Sequence, residues 1–327
     1  MDWKSLAAAS AMTFAISTSA IALDLDPGLP PYKAVDGLSG QLASTGSDTL
    51  GDLSKLWADG FSAVYPGVKF VLESKGSATA PPALVAGIAQ LGPMSRPMNS
   101  DETGAFVSKF GYKPAHFSVA VDALAVYVNK DNPIQCLTLQ QVDQIFSKTR
   151  WGSGGTEIKT WGEAGLTGDW AAQPITLYGR NTESGTHDFF KQAVLYNGDF
   201  KDDVKEQPGS AEVVTMVASD KYAIGYSGIG YKTDGVRAVP LAVSAGRTCY
   251  DTSPAATYSN DYPLARYLYI YLNKKQDQPL DPLAVEFVKY VVSKDGQTRT
   301  LQGGFYPITK EDRVKDLQLL GIPIETN

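Results

Sequence analysis

Runs of β-branched and aromatic residues alternate with amphipathic stretches along most of this 327-residue chain, and that alternation limits its fold more than any other feature. Residues 68–72, 120–128, 175–178 and 267–272 read as strands, the last rich in Tyr and Ile. Leu50, Leu53, Trp57, Phe61 and Val64 recur at spacings of three or four and mark one apolar helical face. Leu139, Val142, Ile145 and Phe146 do the same, as do Leu283, Val285, Phe287, Val288 and Val291. Strand–helix alternation predicts an α/β fold with mainly parallel sheets flanked by helices. The length suits two lobes of roughly 100–150 residues, each able to bury a core. No Pro/Ser-rich linker divides the chain into sequential halves, so a lobe built from both ends of the chain is permitted.

The N-terminus speaks to compartment. Lys4 precedes an apolar or small-residue run over residues 6–23, and Ala20-Ile21-Ala22 is a small-x-small cleavage site. Residues 1–22 therefore read as a secretory signal peptide cleaved near Ala22, which predicts a periplasmic protein. A membrane anchor is the other reading, since about 18 residues are enough to span a bilayer. Pro27, Pro30 and Pro31 give an extended lead-in. Cys136 and Cys249 permit one disulfide in an oxidising compartment, or stand as two buried thiols. Formal charge is −6, from 35 acidic and 29 basic residues, so no global field attracts nucleic acid. An anion bound here must be held by local geometry.

Four Gly/Ser/Thr-rich segments supply that geometry: Ser44-Thr45-Gly46-Ser47-Asp48-Thr49-Leu50, Lys75-Gly76-Ser77-Ala78-Thr79, Leu91-Gly92-Pro93-Met94-Ser95-Arg96-Pro97-Met98, and Gly179-Arg180-Asn181-Thr182-Glu183-Ser184-Gly185-Thr186. Each follows a strand-like run, opens a helix-like run, or does both. A helix start leaves backbone N–H groups unpaired and carries partial positive charge. Glycine lets the backbone approach a ligand, hydroxyls add donors, and arginine adds a fork matched to two oxygens. Taken singly, each segment is an ordinary helix cap. Burying an anion costs on the order of tens of kcal/mol before compensation. Each charge-assisted hydrogen bond returns roughly 1.5–3 kcal/mol, so several segments must converge.

In order and spacing these segments, with Ala223-Ile224-Gly225-Tyr226-Ser227-Gly228, resemble the periplasmic phosphate-binding proteins of the phosphate ABC transporter, the PstS family, from about residue 40 to 310. The resemblance implies a two-lobed periplasmic solute-binding fold, type II-like, with the ligand cleft between lobes. It implies one lobe from residues 23–118 plus about 251–327, the other from about 119–250. The hinge is expected near residues 119–128, with the return crossing between residues 239 and 271. Function would be capture of inorganic phosphate and its delivery to inner-membrane permease subunits by a monomer, without catalysis, cofactor or metal. Carried over by position, the phosphate ligands are Ser47, Thr49, the Leu50 backbone, Ser77, Ser95, Arg96, Arg180, Ser184, Gly185 and Thr186. One position departs from the family: where an aspartate commonly accepts the proton of hydrogen phosphate, this chain has Arg96. Asp48 then takes that role, with Asp122 behind it; or Arg96 binds the anion directly; or Arg96 turns away into a salt bridge.

Other classes fit less well. Ser184-Gly185-Thr186-His187 sets a hydroxyl near an imidazole but lacks the Gly-x-Ser-x-Gly elbow. The two histidines, His116 and His187, do not cluster, and no Gly-Lys dipeptide marks a Walker loop. Phosphate-ester hydrolysis is the enzyme alternative. Sulfate is the rival ligand for a binding protein, and an exported surface protein is the third class.

Overall fold

The computed structural model describes residues 25–324, so the expected signal peptide and its cleavage near Ala22 lie outside the described residues. A first group of elements runs β1 (Gly40–Gly46), α1 (Gly51–Val64), β2 (Val68–Ser74), α2 (Ala80–Ala86), β3 (Gly92–Met94), α3 (Ser100–Phe110) and β4 (Ala115–Ala123). A second follows: β5 (Ala125–Asn129), β6 (Leu137–Thr138), α4 (Leu139–Phe146), β7 (Thr176–Arg180), α5 (Gly185–Ala193), β8 (Lys205–Gln207), α6 (Ser210–Ser219), β9 (Ala223–Ser227), β10 (Val236–Ala238) and β11 (Leu241–Ala242). The chain then returns through α7 (Pro254–Tyr258), β12 (Ala265–Leu272), α8 (Pro282–Val291), α9 (Lys294–Gln302) and α10 (Lys310–Leu320).

Strand pairing keeps these groups apart. β1 pairs with β2, and β12 lies between β3 and β4. The second group forms the five-stranded order β10-β5-β9-β7-β8, with β11 beside β6. Among the described residues no ladder joins a strand of the first group or β12 to a strand of the second. The chain crosses between them at Leu124 and Leu264, where Leu124 N–H donates to Leu264 O at 3.0 Å. The single strand expected over residues 120–128 is thus two strands broken at the crossing. A boundary between residues 118 and 119 would cut through β4, whose residues up to Ala123 pair with β12.

The α/β class stands, but the sheets are mixed and not mainly parallel. β1/β2, β7/β8, β7/β9 and β6/β11 are parallel, whereas β5/β9, β5/β10, β3/β12 and β4/β12 are antiparallel. The physical reason is the double crossing. β5 and β12 carry the chain away from the crossings and meet neighbours running the other way.

Local signals fix the helices that matter. Leu53, Trp57 and Phe61 of α1 are buried, and Trp57 Nε1 donates to Gly296 O at 2.9 Å, tying α1 to α9. Val64, at the end of that apolar face, is exposed. Pro81 and Pro82 sit in the first turn of α2, where an N–H is dispensable. Ser184 caps α5, whose Phe190 stacks on Tyr226 of β9 at 4.0 Å. That contact, with Phe146 edge-on to Phe190, seats the start of α5 against the second sheet. Burying each such ring is worth about 2–3 kcal/mol. Cys136 and Cys249 are joined, 113 residues apart in sequence, which ties the start of β6 to the segment after β11.

Candidate functional site

All four Gly/Ser/Thr segments meet where the two strand groups face each other. Thr49 Oγ1, at the start of α1, lies 2.9 Å from Thr186 Oγ1 in the first turn of α5. Ser77 Oγ lies 3.2 Å from Ser95 Oγ, and Ser95 Oγ 3.5 Å from Thr186 Oγ1. Thr49, Ser77, Ser95, Ser184 and Thr186 are fully buried, at 0% exposure. Ser47 is buried nearby in sequence; its N–H donates to Pro93 O and its hydroxyl has no protein partner.

Glycine makes this approach possible. A Cβ on Gly185 would fall 2.3 Å from Ser77 Oγ and 2.8 Å from Ser95 Oγ. A Cβ on Gly76 would fall 2.3 Å from Glu183 O, and Gly76 has φ +130°, which L side chains rarely adopt. The same two segments are bonded directly, Ala78 N–H to Glu183 O at 3.1 Å. No side chain caps α1, and its first amide, Gly51 N–H, donates to Asp48 O at 2.8 Å.

Two buried arginines flank the hydroxyls, each paired with an aspartate. Arg180 closes β7. Its Nη1 donates to Ser210 Oγ (2.8 Å), Nη2 to Pro208 O (3.0 Å) and Nε to Gln207 O (3.3 Å). Asp48 Oδ1 lies 2.6 Å from Arg180 Nη2 but off the line of its N–H bonds, an ion contact without a directed hydrogen bond. Asp48 Oδ2 accepts from Ser210 N–H (3.0 Å) and Ser210 Oγ (2.9 Å). Tyr231 hydroxyl donates to Asp48 O and Thr49 O, holding the first segment; burial, then the Asp48 charge, keeps that phenol protonated. The second arginine, Arg266 of β12, pairs with Asp122 of β4 at 2.8 Å and donates to Ser95 O and Thr186 Oγ1. Burial lowers the proton affinity of Arg266, and the Asp122 charge opposes that shift.

Of the courses the sequence leaves open for Arg96, its side chain here takes the salt bridge. Its guanidinium forks onto Glu102 at 2.7 and 2.8 Å and reaches Asp188 with Nε at 2.8 Å. Burial works against its charge, and the two carboxylates outweigh it and raise its pKa. Glu102 also closes the capping box of α3 with Asn99, so a carboxylate is fixed six residues after Arg96 and draws it away from the hydroxyls. Asp188, on α5, is lifted by burial but held below its usual range by the His187 bond and Arg96. The contact with Asp188 ties the third segment to the fourth.

The remaining assignments sort by geometry. Ser184 Oγ accepts from Thr186 and His187 N–H as a helix cap, and the His187 ring bonds Asp188, so the two form no Ser–His dyad. Arg266, Ser210 and Tyr231 were not found by reading the sequence. Arg266 left a signal: a cation inside an apolar strand run must be paired if buried. Ser210 and Tyr231 left none, since they act through tertiary contact. A cavity of about 480 Å³ reaches Asp48, Ser210 and Tyr231; another of about 290 Å³ reaches Ser95, Arg96 and Arg266.

Known proteins share this architecture. Residues 33–295 match the PBP superfamily domain. The phosphate-binding protein PstS of Pseudomonas aeruginosa is 48% identical over 317 residues, spanning 96% of this chain and 98% of that protein. The phosphate-binding protein PstS of Staphylococcus saprophyticus is 26% identical over 277 residues, 84% of this chain and 82% of its own. An ABC-type phosphate transport receptor from Vibrio cholerae has a TM-score of 0.63 at 20% identity, covering 82% of this chain and 100% of that one, which shows a common fold.

Proposed function

The chain belongs to the PstS phosphate-binding proteins of the PBP superfamily, and from that membership we propose that it captures inorganic phosphate at the buried hydroxyl cluster and delivers it to an ABC transporter. It is a binding protein, not an enzyme. The observation that carries the assignment of the site is the convergence of the Thr49, Thr186, Ser95 and Ser77 hydroxyls from four separate segments, linked in that order by contacts of 2.9, 3.5 and 3.2 Å. Hydroxyls and amides at the starts of α1 and α5 replace the hydration shell of a small tetrahedral ion. Arg180 adds donors, while Asp48 and Asp122, paired with Arg180 and Arg266, keep the site close to electroneutral. Ser184 acts by fixing the first amides of α5, beside Gly185.

Selectivity falls to Asp48. Its Oδ1 sits beside Arg180 without accepting a directed hydrogen bond, which suits it to take the proton of hydrogen phosphate. Sulfate brings no proton, and its oxygen would face a carboxylate oxygen unshared. Competition of labelled phosphate tests this: arsenate displaces it and sulfate does not. Equal displacement by sulfate would make the site a general oxyanion binder. A chromogenic phosphate ester is expected to show no turnover.

We assign residues 25–124 and 265–324 to one lobe and 125–264 to the other, hinged at Leu124 and Leu264. The cross-contacts Asp48–Arg180, Thr49–Thr186, Ala78–Glu183 and Arg96–Asp188 all join the two and support a closed form that the permease recognises. Among the described residues no helix is long and apolar enough to cross a membrane. The signal-peptide pattern of residues 1–22 supports export to the periplasm with cleavage near Ala22.

A further inference from the structure

Three hydroxyls of the site each accept from a group that can only donate. Ser77 Oγ accepts Ser95 N–H at 3.0 Å. Ser184 Oγ accepts Thr186 and His187 N–H at 3.2 and 3.4 Å. Thr186 Oγ1 accepts from Arg266 Nη2 at 2.9 Å. A hydroxyl carries one proton and two lone pairs, so an oxygen occupied by a fixed donor turns its own proton elsewhere. For Ser77 and Ser184 that donor is backbone and comes with the fold. For Thr186 it is a side chain from the opposite strand group.

Arg266 is itself held on every side. Nε and Nη2 meet Asp122 Oδ2 at 2.9 and 2.8 Å, and Nη1 donates to Ser95 O at 3.0 Å. Asp122 Oδ1 accepts Ile229 N–H at 2.9 Å, and Phe189 lies 5.1 Å from the guanidinium carbon. Ile229 N–H and Arg266 therefore both donate to Asp122, and the anchored guanidinium donates on to Thr186. Thr186 is the hydroxyl paired with Thr49, at 2.9 Å, and with Arg266 on one of its lone pairs its own proton is free to turn to the Thr49 side.

We infer that Arg266 is a positioning residue for anion capture: it acts through Thr186, fixing that hydroxyl as a donor and thereby favouring a ligand that presents only acceptors there. The inference rests on the phosphate reading of the site. It predicts coupling between the two residues, which a purely structural role for Arg266 does not require. Calorimetric titration with inorganic phosphate reads it in four proteins: the native chain, Thr186→Val, Arg266→Gln and the double variant. In the native background Thr186→Val weakens binding by about tenfold or more, as expected for loss of a hydrogen bond to a charged ligand. In the Arg266→Gln background the same change costs less than about threefold, because the hydroxyl is no longer oriented. Thr186→Ser recovers most of the affinity that valine loses. Where circular dichroism shows Arg266→Gln unfolded, Arg266→Lys takes its place, since one ammonium cannot serve Asp122, Ser95 O and Thr186 together. An equal cost of Thr186→Val in both backgrounds overturns the inference while leaving phosphate binding intact. A native protein that does not bind phosphate overturns the reading of the site, and the inference with it.

Discussion

Arg96 and Arg180 stand in segments of the same design, each at or just beyond the end of a short buried strand, yet they end in different company. Arg180 is 1% exposed, points between the strand groups, and meets Asp48, Ser210 and two backbone carbonyls. Arg96 is 8% exposed and is taken up by Glu102 on its own side and by Asp188 across from it. Burial therefore does not separate them; the carboxylate each finds does. Glu102 is local and pinned by the α3 capping box, whereas Asp48 reaches Arg180 from 132 residues away in sequence. A guanidinium follows the nearest fixed anion, so segment composition reports donor capacity but not direction.

The comparison makes ordered predictions. Arg180→Ala is expected to have the largest effect. It strips the partner from Asp48 inside the site, a change that typically costs about 3–5 kcal/mol. Phosphate affinity by calorimetry should fall more than about a hundredfold, with a clear drop in Tm. Affinity within a few-fold of native would erase the distinction between the two arginines. Gly185→Ala comes next. The added methyl would collide with Ser77 Oγ at 2.3 Å, so the segments must separate, and affinity should fall about tenfold or more with the fold intact. Gly104→Ala, in α3 with nothing within 4 Å of the added atom, is the control and should slightly raise Tm.

Asp188→Asn probes the other arginine. It removes one charge from Arg96, which keeps Glu102, so phosphate should dissociate only about two- to tenfold faster in stopped flow. A loss as large as that of Arg180→Ala would make Arg96 the principal cation after all. The smallest effect belongs to Asp316 of α10, which is bonded to Ser118 N–H of β4. Burial, partly offset by the Ser118 N–H bond, raises its pKa to about 6. A carboxyl raised in the folded state favours folding below its unfolded value near 4, and that contribution is lost as pH rises through about 6. Asp316→Asn should therefore raise Tm at pH 7 by a few degrees relative to native, and not at pH 4.

How much of this was legible in the sequence depends on range. Apolar spacing located α1, α4 and α8 because helix faces are set by neighbours three and four residues apart. β1 was missed, since Gln41, Ser44 and Thr45 blur its alternation and its stability comes from pairing with β2. Parallel direction was over-assigned because sequence does not reveal where a chain leaves one sheet for another. In the site, the hydroxyls of Thr49, Ser77, Ser95 and Thr186 were readable as helix-start chemistry. Arg266 showed only as a cation in an apolar strand; its role depends on Asp122, 144 residues earlier, and on a turn of α5 reached only in three dimensions.

A crystal structure of the protein grown with inorganic phosphate tests the central claim most directly. One tetrahedral anion is expected within hydrogen-bond reach of the Thr49, Ser77 and Thr186 hydroxyls and Arg180, one of its oxygens shared with Asp48 Oδ1, and Arg96 still turned onto Glu102. An anion held by Arg96, or lodged away from all four segments, would contradict it.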